Sequence, residues 1–402
     1  MAGRRRGSGS SAVAVCLLLA SLTGCAGPSA ADTARGQVQR VLDARAAAVL
    51  RHDPAAYAVT GVRTPYTNLK SLPLAAWSYR VTALRLGGGR ATAEAELRYR
   101  ISGYDTAPVT ADRTLTLSTT AGGTWYVDSE RPAAASAQQL WDQGPVTVVR
   151  GHSGIVLGVG QGGGALRGYA ALADHAVPAV SDAWGTDWSR RIVVLVPASL
   201  DGMAALLGSP AADYRGIAAV TTGETGGAGA PGGTSRAPAD RIVVNPDAYG
   251  MLGTLGRQVV LTHETTHVAT RAHTGRATPL WLSEGYADWV GYRGSGRSPD
   301  QAAPELQRAV DAGQVPTALP ADRDFGFAGD ATRLAQAYEG GWMACRMIAA
   351  HWDEHRLDDF YRAVGTHRER PGAVEDALAK VLGTTLARFT AQWREYLRAQ
   401  LG

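Results

Sequence analysis

One stretch constrains this chain more than any other: Val259, Val260 and Leu261 lead into Thr262-His263-Glu264-Thr265-Thr266-His267. Residues four apart share a helix face, so His263 and His267 can present two imidazoles to one metal ion. Glu264 falls one residue round the helix, beside that ion rather than on it. The apolar lead-in predicts a buried helix. A hydrolytic metal takes three protein ligands and keeps one position open, and two residues are candidates for the third. Glu284 lies seventeen residues beyond His267, in Pro279-Leu280-Trp281-Leu282-Ser283-Glu284-Gly285-Tyr286-Ala287-Asp288. Thr278 can cap that helix, with Pro279 at its first position. His273, six residues beyond His267, is the rival.

His263-Glu264-x-x-His267 is the HExxH motif of zincins, a helix carrying two nitrogen ligands and a carboxylate base. With Glu284 on the next helix, and with Trp281-Leu282-x-Glu284-Gly285-x-Ala287, it resembles the gluzincin group of MA-clan zinc metallopeptidases. The His273 spacing resembles metzincins instead, a likeness that implies a sharp backbone turn where this chain has Thr270. Glycine meets such a turn at little cost and a β-branched residue does not, and no Met-turn follows. Glu284 is therefore the expected ligand, and His273 reads as an exposed histidine near the helix end. The gluzincin resemblance implies one Zn²⁺ held by His263, His267 and Glu284, with Glu264 as general base and a peptide or protein as substrate. It implies that Asp288, four residues after Glu284, accepts the other ring N–H of His263; a surface aspartate is the plain alternative. Tyr338 opens Tyr338-Glu339-Gly340-Gly341, which resembles the Tyr-x-Lys-Gly segment of aminopeptidase N-type gluzincins, with Gly340 in place of the Lys. That likeness implies a tyrosine hydroxyl stabilising the oxyanion; a core tyrosine is the alternative. The Gly-x-Met-Glu-Asn segment that anchors the substrate amine in those aminopeptidases has no match, so endopeptidase activity is expected over aminopeptidase activity. Strand Gly216–Thr222 or Arg241–Asn245 is expected to take an extended peptide by edge addition. Two other readings stand beside this one. The first is a non-catalytic surface lipoprotein acting as a binding module; the second is a metal-free envelope protein.

His351-Trp352-Asp353-Glu354-His355 has the inverted order HxxEH. It falls at the end of a predicted helix, where charged side chains commonly sit in solvent, and only 47 residues follow. No metal role is expected there, nor for the scattered His52, His152, His175 and His367.

The chain opens on Arg4-Arg5-Arg6, followed by an apolar Ser11–Leu22 and then Thr23-Gly24-Cys25. This is the order of a secretory signal, and it falls short of the roughly 20 apolar residues that span a bilayer. Leu22-Thr23-Gly24-Cys25 resembles a bacterial lipobox, which implies a signal peptide over 1–24 and a lipidated Cys25 anchored to the outer face of the cell membrane. More than one acyl chain is what stable anchorage needs. An ordinary secretory signal is the alternative. Residues 25–35 then form a tether. Cys16 leaves with the signal and Cys345 remains alone, which excludes an internal disulfide and a thiolate zinc cluster. Its apolar helical neighbours predict a buried thiol. The net charge of +4 is mostly the leader's: without it, 37 basic residues face 36 acidic ones. No basic stripe appears, so nucleic acid is not an expected partner.

Along the rest of the chain, a helical period over 36–50 is followed by strands at Trp77–Leu86, Ala91–Ile101, Arg113–Thr119 and Thr124–Asp128, with glycine turns between them. A leading helix before a curved antiparallel sheet is similar to NTF2-like domains, over about residues 36–131. No acid–base set is found in it, so a spacer or interaction module is expected. Pro132 marks a boundary. Residues 140–402 alternate strand and helix as far as Asn245, with a mobile glycine-rich loop from Gly223 to Ser235, and are nearly all helical from Thr254 on. The expected fold class is α+β: helix plus curved sheet first, then a zincin domain with a mixed-sheet half and a helical half.

Overall fold

The computed structural model describes residues 30–224, 239–326 and 330–402. The leader, Cys25 and most of the glycine-rich loop expected at 223–235 lie outside the described residues. The fold is α+β, with an antiparallel sheet first, a mixed sheet second and a helical half last.

Helix α1 (Ala30–Leu50) buries a stripe of Ala34, Val38, Leu42, Ala46 and Val49, the spacing of one helix face. Two short helices follow, α2 (Pro54–Val59) and α3 (Thr64–Leu69), which the sequence reading did not anticipate. Each has a proline in its first turn, and the Asp53 side chain caps α2. Strands β1 (Leu74–Gly87), β2 (Arg90–Ile101), β3 (Val109–Thr119) and β4 (Trp125–Pro132) form an antiparallel meander. Gly87 pairs with Arg90, leaving Gly88 and Gly89 at φ +55° and +75°. A two-residue hairpin with both central residues left-handed is the turn that matches strand twist. Register shifts at Val81/Ala83 and Thr116/Leu117 curve the sheet.

The second sheet holds β5 (Thr147–Arg150), β6 (Gly154–Gly158), β7 (Ile192–Val196), β8 (Ala219–Glu224) and β9 (Ala239–Val244), in the order β5-β6-β7-β9-β8. Strands β6, β7 and β9 run parallel; β5 and β8 are antiparallel edges. Alternate residues enter two different cores. Val156, Val194 and Ile242 pack under α4 (Gly163–Trp184) together with Leu166, Ala173 and Val177. Ile155, Leu157, Val193, Leu195 and Val243 join the core of the first sheet. Burial on both faces is why these strands read as unbroken apolar runs. A buried ion pair crosses between the two sheets: the Arg241 guanidinium on β9 donates to both Asp105 carboxylate oxygens, at 2.8 and 2.9 Å. Asp105 also accepts from the Ile101 N–H.

Helix α5 (Leu200–Leu207) is capped by Ser199, and α6 (Pro246–Met251) by Asn245. The helical half contains α7 (Thr254–Thr270), α8 (Leu280–Tyr292), α9 (Pro299–Ala302), α10 (Pro304–Asp311), α11 (Ala331–His351), α12 (Glu354–Gly365), α13 (Ala373–Ala377) and α14 (Leu386–Leu401). They enclose a core that includes Trp281, Met343, Phe360, Phe389 and the fully buried Cys345. The HxxEH run falls across a helix break: Asp353, at φ +95°, separates α11 from α12 and caps the latter. Glu354 pairs with Arg293 there. No helix among the described residues is long and apolar enough to cross a membrane.

Candidate metal centre

Helix α7 lies between the second sheet and the helical half, and from Leu261 to Thr266 every residue is buried. Such burial leaves no water for hydroxyls, so Thr265 and Thr266 donate to the carbonyls of Leu261 and Thr262, four residues back. On this helix the Nε2 atoms of His263 and His267 stand 3.0 Å apart. From α8, Glu284 Oε2 comes to 3.2 Å from the first and 3.4 Å from the second. This is the one cluster of three or more His, Cys, Asp or Glu among the described residues whose donor atoms converge within 4.8 Å. Ligands at about 2.0–2.1 Å on a tetrahedral zinc stand roughly 3.3–3.4 Å from one another. The observed triangle is that size, slightly tightened. Two imidazoles with one carboxylate also suit zinc, whereas calcium and magnesium prefer oxygen throughout. The residues fit the ion.

His263 Nδ1 lies 2.8 Å from Asp288 Oδ1, so the carboxylate fixes the ring and leaves Nε2 to face its neighbours. Burial alone would lower the His263 pKa; the charge and hydrogen bonds of Asp288, with Glu284 and Glu264, raise it well above the usual imidazole value. Glu284 moves the opposite way: burial would raise it, and the two imidazoles hold it well below the carboxylate range. Each shift favours the charged form, the imidazole beside carboxylates and the carboxylate beside imidazoles. Glu264, 7% exposed, turns from α7 towards β8. Tyr338, on α11, packs edge-on against Phe325. Burial, then the charges of Glu284, Asp288 and Glu264, push its phenol well above the ordinary value.

Glu284 reaches the site because α8 lies against α11 with no side chain between them. A Cβ on Gly285 would sit 2.3 Å from the Gly341 backbone, and one on Gly341 would sit 2.6 Å from the Trp281 carbonyl. The same contact brings in Tyr338, one helical turn before Gly341. At its other face, α8 nears α7, where a Cβ on Gly291 would meet the Val259 carbonyl at 3.1 Å. The start of α8 differs from expectation. Thr278 does not cap it: its hydroxyl accepts from the Gly275 N–H, while the Leu280 N–H donates to Asp322.

His273 is not part of the cluster, which corrects both readings of it. It is half-buried rather than exposed, receives a hydrogen bond from Arg362 at 2.8 Å and meets Trp184 edge-on. Burial and that cation lower its pKa. Strand β9 is corrected too: it is paired on both sides, so Arg241–Asn245 offers no edge to a peptide. Strand β8 is the outer strand of the sheet among the described residues, and it runs beside α7. Thr221 on β8 donates to the Glu264 carboxylate at 2.6 Å, a contact that no local sequence signal announced.

No protein-family model matches this sequence, and no curated protein does. Among solved structures, a two-domain M1 zinc metallopeptidase crystallised with L-arginine is similar over 82% of this chain, at 12% identity and a TM-score of 0.35. This chain covers 61% of that one, less than two thirds of its length. What the centre can do rests on its own geometry.

Proposed function

We propose that this protein is a zinc-dependent peptidase, held at the outer face of the cell membrane by lipid on Cys25, that cleaves within peptide or protein chains. The observation that carries the reading is the triangle of His263, His267 and Glu284 donors with Glu264 next to it on α7. Bound there, zinc would supply Lewis acidity, lowering the pKa of a water towards neutrality and polarising a carbonyl. Asp288 keeps the His263 ring in one tautomer, and Glu264 accepts the proton released in the attack and returns it to the departing amine. Tyr338 donates its O–H to the oxygen that gains charge. Strand β8 is the outer strand of its sheet among the described residues, and in this reading an extended substrate adds to it; the missing Gly-x-Met-Glu-Asn segment favours an endopeptidase. Residues 36–131 serve in this reading as the unit that spaces or recruits. A purely binding role has no use for a carboxylate beside the metal position, so Glu264 favours catalysis.

The test compares wild type, Glu264→Gln and Glu284→Ala for bound zinc and for hydrolysis of a peptide library, with and without a chelator. Wild type should hydrolyse peptides and stop on chelation. Glu264→Gln should keep one zinc and lose turnover; Glu284→Ala should lose the zinc. Undiminished hydrolysis by Glu264→Gln, or full zinc content in Glu284→Ala, rejects the assignment.

A further inference from the structure

We propose that Thr221 is a positioning residue for Glu264, an inference that rests on the peptidase reading above. Thr221 lies on the edge strand β8, and its Oγ1 stands 2.6 Å from Glu264 Oε2 and 3.0 Å from the Glu264 main-chain oxygen. A threonine has one hydroxyl proton to give. Of the two acceptors, the carboxylate oxygen is the nearer, so it takes the bond.

Two consequences follow for the base. Oε2 is engaged by the strand, which leaves Oε1 as the oxygen free to take a proton from water. The carboxylate is also tied to the strand that offers its edge to the substrate backbone. A peptide added to β8 then meets the base at one offset, set by Thr221 rather than by the flexible glutamate side chain. The β-branch gives Thr221 a stiff χ1, which suits a group that must hold a direction. The hydroxyl acts through Glu264.

Thr221→Val keeps the shape and the branch and removes the donor, while Thr221→Ser keeps the donor. Each variant is measured for zinc content, for kcat and KM on a peptide the wild type cleaves, and for the Glu264 conformation in a crystal structure of the metal-free protein. Displacing a reacting group by about 1 Å costs on the order of 100-fold. Thr221→Val should therefore bind one zinc, keep its KM and lose about 10- to 100-fold in kcat, with the Glu264 carboxylate rotated or split. Thr221→Ser should restore most of the rate and the single conformation. Should Thr221→Val not fold, Thr221→Ala takes its place. An unmoved Glu264 in the variant without the hydroxyl overturns the proposal, as does a moved Glu264 with undiminished kcat. If the wild type cleaves nothing, the peptidase reading falls by itself, and the crystallographic comparison alone decides whether Thr221 directs the carboxylate.

Discussion

Gly285 and Gly341 bring two helices into backbone contact: a Cβ on the first would lie 2.3 Å from the carbonyl of the second. Glu284 precedes one glycine and Tyr338 lies three residues before the other, so this crossing fixes where both side chains arrive. Gly285→Ala would press a methyl on backbone that no rotamer change can relieve, a class of change that costs typically 1–3 kcal/mol or more. The variant should melt several degrees lower and hold less zinc than wild type. Gly168→Ala is the control, because its Cβ would meet nothing within 4 Å and alanine favours a helix by up to about 1 kcal/mol. Equal melting temperatures for Gly285→Ala and wild type would show that α8 can shift freely.

Asp288 stands behind His263, its Oδ1 2.8 Å from the ring Nδ1. Partners of this kind typically cost about 10- to 100-fold in metal affinity when removed. Asp288→Ala should therefore weaken zinc by that factor in a chelator competition while the protein stays folded. Unchanged affinity would make the contact a surface pairing.

The ion pair of Arg241 with Asp105 is fully enclosed, with side-chain exposures of 2% and 0%. Removing one partner of a buried pair costs about 3–5 kcal/mol, whereas replacing both by apolar residues is often nearly neutral. Asp105→Ala should thus destabilise far more than the double change Asp105→Leu with Arg241→Met. Denaturant unfolding measures both; similar losses would show that the pair itself, rather than the stranded charge, holds the sheets together.

The parts of the site that share one helix were legible in the sequence, because helical periodicity alone places His263 with His267 and Glu284 with Asp288. The parts that depend on which elements become neighbours were not. Nothing local to Thr221 distinguishes it from other strand threonines. Arg241 and Asp105 are 136 residues apart in the chain. The strand expected at Arg241–Asn245 overlaps β9 (Ala239–Val244), but a strand's own pattern does not say whether it lies inside a sheet or at its edge. Thr278 looked like a helix cap because capping preferences are local; Asp322 supplied the acceptor from a distant turn. Gly285 and Gly341 carry a signal of their own: both stand inside helices, where glycine is disfavoured, and such positions mark close backbone approach.

Glu339, next to Tyr338, carries a testable pH dependence. Its carboxylate accepts from the N–H groups of Glu305 and Leu306 at the start of α10. Burial outweighs those bonds and raises its pKa from 4.5 to about 7. The folded protein therefore holds this proton across a range in which the unfolded chain has lost it. With more protons bound in the folded state, stability declines as pH rises. The contribution is complete below about pH 4.5 and gone above about pH 7. Glu339 is partly open to solvent, so screening reduces its worth to on the order of 1 kcal/mol. Glu339→Gln keeps an acceptor for α10 and removes the titration. Melting temperatures taken from pH 4.5 to 8 should fall for wild type relative to the variant, by about 1–2 °C. Parallel curves would place the proton elsewhere.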